Sequence, residues 1–279
     1  MTKKIIITVF VIAILLFLGN VVYFAFRVPN VALLSLNGII TQNRADELIR
    51  AIKNIEKSKN IKAVLIKINS PGGEAVSSQR IYLSIRKLSK TKPVVSLIET
   101  TGASGAYYAA CGANRIVCYP ASVVGSIGVI FESINIAQLS KKLGIKAFIV
   151  KSGKLKDAAN PFKEPTQNDR EMIKSLVDDI YNEFLEDVSK SRGIPKNKLK
   201  RYANGAVYSG KTALKIGLVD SIGGEEEAKM YIKKLAHIKH IRFERFNNDS
   251  LKAAKIIKGI GFIDNLELLK IPSVKAVFQ

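Results

Sequence analysis

Between residues 31 and 98 the chain alternates between two rhythms of apolar and polar positions. Near-continuous runs rich in Val, Ile and Leu at 31–40, 61–68 and 93–98 have the length and composition of buried strands. Between them, 44–57 and 77–88 carry apolar residues at spacings of three and four, which gathers them on one helix face. This order predicts an α/β fold with a largely parallel sheet, helices on its faces and right-handed crossovers. Further strands are expected at 115–119 and 145–150. The longest helical pattern is 168–190, where Met172, Leu176, Ile180, Phe184, Leu185 and Val188 form one stripe. Such a helix is about 35 Å long, more than one face of a small α/β domain covers, so a neighbouring copy is expected to cover the excess.

At the N-terminus the pattern changes. Residues 5–26 form 22 positions without a charge, preceded by Lys3 and Lys4. That length spans a bilayer, and the positive-inside bias leaves the N-terminus in the cytoplasm and the rest of the chain outside it. A cleaved signal peptide is the alternative, although the run exceeds the usual apolar core of one and no A-x-A site follows. The expected division is a single-pass membrane anchor at 1–30, one catalytic-size domain at 31–246 and a mixed Lys and apolar tail at 247–279.

Composition narrows the chemistry. Of 279 residues, 47% are hydrophobic and 24% charged, an ordinary globular mixture that excludes wholesale disorder. Forty-four Lys and Arg oppose 23 Asp and Glu, for a net charge of +21. No nucleic-acid motif accompanies this charge, and the lysines scatter over helix-like stretches as solvated faces, so no nucleic-acid partner is expected. The chain has two histidines, His237 and His240, in one Lys-rich stretch, and two cysteines, Cys111 and Cys118. That inventory offers no zinc spacing, so neither metal nor cofactor is expected, and the two thiols read as free and buried. A hydrolase built from this set draws its general base from a carboxylate or a lysine more readily than from an imidazole.

Three glycine-containing loops follow predicted strands, at 69–73 (NSPGG), 101–106 (TGASGA) and 124–128 (VGSIG). In an open α/β sheet, sites collect at these C-terminal strand ends. Ser104 lies between Gly102-Ala103 and Gly105-Ala106, where a strand gives way to a helix, and small neighbours permit a sharp turn and close substrate approach. The same residues also suit tight packing with Ser104 as a simple N-cap. Gly72-Gly73 reads equally as an ordinary turn or as backbone N–H groups aimed at an oxyanion. Neither loop matches a phosphate-binding pattern.

Taken together, INSPGG (68–73), GASGAYYAA (102–110), GSIGVI (125–130) and KSGKLKDAANPF (151–162), in this order behind an apolar N-terminus, closely resemble signal peptide peptidase A of bacteria. The resemblance covers about 31–235. It implies a Clp/crotonase-like fold, a Ser-Lys dyad, a ring-like homo-oligomer and degradation of cleaved signal peptides in the membrane. By match, Ser104 is the nucleophile, Lys156 the base and Gly73 the oxyanion donor, with Gly72, Gly105 and Ser126 lining the site. Lys154, two positions before Lys156, is the competing assignment. Gly105-Ala106 stands where the family often has two glycines, and neither the cysteines nor the tail are family features. A lysine base must be neutral, which asks its surroundings for roughly 4–5 kcal/mol to bring a pKa of about 10.4 toward 7. Asp157 would oppose this if it paired with Lys156. Three other readings stand beside this one. A stomatin-operon-type protease would cut an apolar segment of a membrane protein. A crotonase-type acyl-CoA enzyme shares the fold but would lack access to coenzyme A outside the cytoplasm. A non-catalytic anchored scaffold would have no use for both Ser104 and Lys156.

Overall fold

The computed structural model describes residue 10, residues 12–17, residue 19 and residues 28–246. The expected membrane segment at 5–26 and the tail at 247–279 therefore lie largely or wholly outside the described residues. Among those described, no helix is long and apolar enough to cross a membrane.

The body alternates as its patterning predicts. Strand β1 (Val31–Asn37) leads to α1 (Gln42–Lys57), β2 (Ala63–Ser70), α2 (Ala75–Leu88), β3 (Val94–Ala103), the short α3 (Gly105–Ala110), β4 (Arg115–Cys118) and β5 (Val123–Gly125). There follow α4 (Ala137–Lys142), the long α5 (Gln167–Arg192), α6 (Lys196–Leu199), β6 (Val207–Ser209), α7 (Gly210–Lys215), β7 (Ser221–Ile222), α8 (Glu225–Ala236) and β8 (Phe243–Arg245). The sheet runs β6-β5-β3-β2-β1-β8, with β4 and β7 branching from β3. Pairing is parallel except between β5 and β6.

Both faces of the sheet are covered, which is why its strands read as continuous apolar runs. Side chains alternate between the faces with period two. Ala32, Leu34 and Leu36 of β1 and Val64, Ile66 and Ile68 of β2 join the large core beneath α1, α2, α3 and α5. Val31 of β1, Ala63 and Leu65 of β2 and Val95 and Leu97 of β3 point the other way, onto Ala228 and Ile232 of α8. Three acidic residues, Glu225, Glu226 and Glu227, occupy the first turn of α8, where the helix dipole favours them. Thr41 caps α1 with its side chain, and Thr166 and Asp169 form a reciprocal capping box on α5.

Strand β3 forks. Its first half, Val95 to Ile98, pairs with β4, and its end, Thr101 to Ala103, pairs with β5. Between Ile68 and Ser70 of β2, β3 advances from Ile98 to Gly102, so two extra residues bulge out of the ladder. Buried Ser122 manages the carbonyls this exposes, its Oγ lying 3.1 Å from the Ile98 oxygen and 2.6 Å from the Glu99 oxygen while it accepts the Tyr119 N–H.

One expectation is corrected, and the long helix is found where expected. Residues 145–150 form no strand: the segment is exposed, with Phe148 92% and Val150 83% accessible, and no edge among the described residues pairs with it. The long helix spans 26 residues, three more than expected, and only its C-terminal half packs on the body through Phe184, Leu185 and Val188. The two cysteines are free and buried as expected.

Tyr107 of α3 is wholly buried, and its hydroxyl donates to the Leu218 carbonyl at 2.8 Å, tying α3 to the chain that follows α7. Tyr107→Phe strands that carbonyl and is expected to cost ~1–3 kcal/mol, read from the urea midpoint at constant m-value. An unchanged midpoint would mean that the bond contributes nothing to stability.

Candidate active site

The three glycine loops converge. Ser104 sits at the turn between β3 and α3 with φ 51° and ψ −125°, a conformation non-glycine residues rarely hold and which costs ~1–3 kcal/mol unless its surroundings fix it. Two backbone bonds fix it: Ser104 N–H donates to the Gly125 carbonyl at 2.8 Å, and the Ser104 carbonyl accepts from Tyr108 N–H at 3.0 Å. Ser104 is 6% exposed, and its hydroxyl makes no hydrogen bond among the described residues.

The Gly72-Gly73 turn packs directly on this junction. A Cβ on Gly72 would lie 2.8 Å from the Gly105 nitrogen and 2.9 Å from the Ser104 Cβ, and its φ of +104° suits glycine alone. Gly73 bridges to Ile40, but through its neighbours: Ile40 N–H donates to Gly72 and Glu74 N–H donates to Ile40. In that parallel register Gly73's own N–H points away from Ile40. A Cβ on Gly105 would stand 3.5 Å from the Gly73 nitrogen and would collide with buried Ser78. Two backbone donors, Gly73 and Gly105, thus flank Ser104, an arrangement suited to a developing oxyanion.

Ser104 opens onto a cavity of about 280 Å³ between α2, α3, the Gly128-Val129 segment and α5. Val76, Tyr108, Val129, Ile180 and Phe184 make its walls apolar, while Asp179 and Glu183 contribute carboxylates. Tyr108 stacks on Phe184 with ring centroids 4.4 Å apart, and its hydroxyl donates to Asp187. Burial, reinforced by that carboxylate, pushes the Tyr108 hydroxyl well above its ordinary pKa, so it stays neutral and serves as wall. Ser126 also adopts positive φ, at 51°, and its N–H donates to Ala206 at 2.8 Å. Its side chain lines an adjoining hollow that shares Gly128 and Val129 with the Ser104 cavity.

Lys156 is placed elsewhere. It is exposed, on a loop that leads into α5, and lines a shallow hollow with Lys154, Leu155 and Met172. No residue of 145–163 lines the Ser104 cavity among the described residues. Asp157 does not pair with Lys156: its Oδ1 meets Lys151 at 2.5 Å and Lys163 at 3.1 Å. Lys163 reaches on to Asp169 Oδ2 at 2.8 Å, in the first turn of α5. The Lys163 ammonium and the Thr166 donors hold the Asp169 carboxyl down to about 2, and Lys151 and Lys163 lower Asp157. Because the folded pKa of Asp169 is depressed, its contribution is present above the ordinary carboxylate range and is lost only as pH falls through about 2.

Sequence reading missed the cavity walls. Val76, Ser78 and Val129 carry no motif of their own, and Ile180 and Phe184 were legible only as a helix stripe. His237 and His240 are exposed at and beyond the end of α8, away from Ser104. Among the described residues, no three His, Cys, Asp or Glu side chains group as metal ligands would.

A serine held in a tight strand-to-helix turn, with backbone N–H groups of two loops nearby and an apolar cavity beside it, on a largely parallel sheet, is an arrangement a serine hydrolase can use. Comparison with known proteins agrees: residues 24–124 match Clp protease, and residues 86–239 match peptidase family S49. The chain is 36% identical over 224 residues to putative protease MJ0651 of Methanocaldococcus jannaschii, covering 80% of this chain and 70% of that one. It is 33% identical over 229 residues to the putative signal peptide peptidase SppA of Enterococcus faecium, covering 78% and 67%. It is 33% identical over 221 residues to the chloroplastic serine protease SPPA of Arabidopsis thaliana, covering 78% of this chain and 33% of that protein. The chain belongs to peptidase family S49 and is a serine protease, as its resemblance to signal peptide peptidase A implied.

Gly72→Ala is expected to lower peptidase kcat/KM by ~100-fold or more, the scale of losing an oxyanion donor, because the added methyl must displace the Ser104–Gly105 backbone. Circular dichroism should stay native. Wild-type kinetics in this variant would show that the close approach is dispensable.

Proposed function

We propose that the protein is a membrane-anchored serine endopeptidase that degrades hydrophobic peptides such as cleaved signal peptides, with Ser104 as nucleophile and Lys156 as general base. The observation that carries this reading is the strained Ser104 turn, flanked by Gly73 and Gly105 N–H groups and open to an apolar cavity. That cavity is at the small end of the ~300–1,000 Å³ range for ligand sites and suits one large apolar side chain. The name of the Enterococcus faecium relative supports the substrate class.

In the proposed reaction, neutral Lys156 Nζ takes the Ser104 proton as Oγ attacks the peptide carbonyl carbon, and the resulting oxyanion accepts from Gly73 and Gly105 N–H. The protonated lysine returns that proton to the departing amine. Water, deprotonated by the same lysine, then cleaves the acyl-serine ester and restores both groups.

Lys156 comes from a neighbouring copy. Its exposure, its absence from the residues lining the Ser104 cavity of its own chain, and the exposed apolar side chains along 134–150 (Ile134, Leu139, Leu143, Phe148, Val150) all favour an assembly in which this arm reaches an adjacent subunit. The apolar 5–26 run anchors each copy, with the catalytic domain outside the cytoplasm.

Ser104→Ala and Lys156→Ala are each expected to abolish peptide hydrolysis and labelling by a fluorophosphonate probe, whereas replacing both His237 and His240 by Ala changes little. Co-expressing the two single mutants should restore about a quarter of the sites if subunits mix at random, since a Lys156→Ala copy retains Ser104 and its neighbour can supply Lys156. Mixed oligomers containing both mutants yet inactive would reject the shared site. Labelling of Ser104→Ala would reject the nucleophile.

A further inference from the structure

The segment that carries Lys156 is clipped by an ion-pair chain that the catalytic reading does not use. Its four members lie six residues apart in sequence, Lys151, Asp157, Lys163 and Asp169, and each contacts the next: 2.5 Å, 3.1 Å and 2.8 Å. Lys151 also donates to the Lys154 carbonyl at 3.0 Å, closing the turn from 151 to 154. The far end is fixed, because Asp169 is almost fully buried and its Oδ2 also accepts the Thr166 N–H at 2.8 Å in the α5 capping box. Lys156 is the immediate neighbour of the hub, Asp157.

Resting on the assignment of Lys156 as base, we propose that Lys151, Asp157, Lys163 and Asp169 form a positioning clip that fixes the Lys156 loop and occupies the Asp157 carboxylate, withholding it from Lys156. The clip acts in two ways. It holds a 13-residue segment, 151–163, against the first turn of α5, which reduces the conformations the base must lose to reach its target. It also sets the charge around Lys156. Along its own segment Lys156 is flanked in sequence by Lys151, Lys154, Asp157 and Lys163, the start of α5 carries Asp169, Arg170 and Glu171, and Met172 lines the same hollow as Lys156. With Asp157 Oδ1 and Asp169 Oδ2 held by Lys151 and Lys163, neither aspartate pairs with Lys156, and neutral lysine is the form the reaction needs. Lys151 and Lys163 are thus positioning residues, and neither touches Ser104.

The test uses the full-length enzyme in membranes and reads the rate of Ser104 labelling by a fluorophosphonate as a function of pH, which remains measurable when turnover is slow. Lys151→Met frees part of the Asp157 carboxylate for Lys156, so the acid limb should move up by about 0.5–1 pH unit, and Lys163→Met should act in the same direction. Asp157→Asn removes the carboxylate and releases two cations, so the limb should move down while the plateau rate falls about tenfold from lost positioning. Lys151→Arg keeps the pair and should restore the wild-type midpoint. A loop with a merely structural role would lower the plateau in every variant without moving the midpoint. Coincident midpoints in Lys151→Met, Asp157→Asn and wild type, or shifts in one direction for both, would overturn the clip. Lys156→Ala separates the two ideas: wild-type labelling there removes the base assignment itself, whereas a dead Lys156→Ala with unshifted clip variants leaves that assignment standing and rejects the clip.

Discussion

A methyl group on Gly72 would sit 2.8 Å from one backbone nitrogen and 2.9 Å from the side-chain carbon of Ser104, so the loops ending β2 and β3 meet as bare main chain. That contact sets the geometry of everything around it. It brings the Gly72-Gly73 turn against the Gly105 nitrogen, while backbone bonds to Gly125 and from Tyr108 hold the strained turn at 104. Buried Ser78, pressed against Gly105, closes the remaining space and forbids a side chain there as well. The surface around Ser104 is therefore largely backbone whose positions the sheet dictates, and few rotamers remain to be chosen.

The sheet can dictate them because β3 forks. Two extra residues near Glu99 and Thr100 let one strand serve β4 with its first half and β5 with its end, which is how the loop carrying Gly125 arrives beside Ser104. Beyond that fork the chain leaves the body. The segment following Ile130 and the first half of α5 form an extension with exposed aliphatic and aromatic side chains, braced internally where Asn135 and Ile136 bond to the Lys163 and Pro161 carbonyls. Ser104 thus belongs to the body and Lys156 to the exposed segment.

Much of this was legible in the sequence, and the limits have physical causes. The runs at 61–68 and 93–98 declared buried strands because both faces of the sheet are covered, and the glycines at 72, 73 and 105 mark where two loops meet, because tight backbone approach tolerates few other residues. The strand expected at 145–150 failed because β-rich composition signals a capacity to pair, whereas pairing needs an edge that the described residues do not supply there. The short strands β5, β6, β7 and β8 have too few residues for an alternation to show. The cavity walls escaped because Val76, Val129 and Phe184 come from three distant elements, and only the tertiary arrangement makes them neighbours. Asp157 was visible beside Lys156 in the sequence, but its engagement by Lys151 and Lys163 depends on how the loop folds back on itself.

The two thiols bear on how the chain matures. Cys111 caps α3 and Cys118 ends β4, both sealed in the core, with burial pushing their pKa values up to about 12 and about 11. Oxidants and disulfide exchange act on accessible thiolates, and these sites offer neither the access nor the anion. Once the core closes, the redox poise of the surroundings drops out of the fold's energetics. The same native body can then form in a reducing cytosol or an oxidising envelope, with no isomerase required to sort its cysteines.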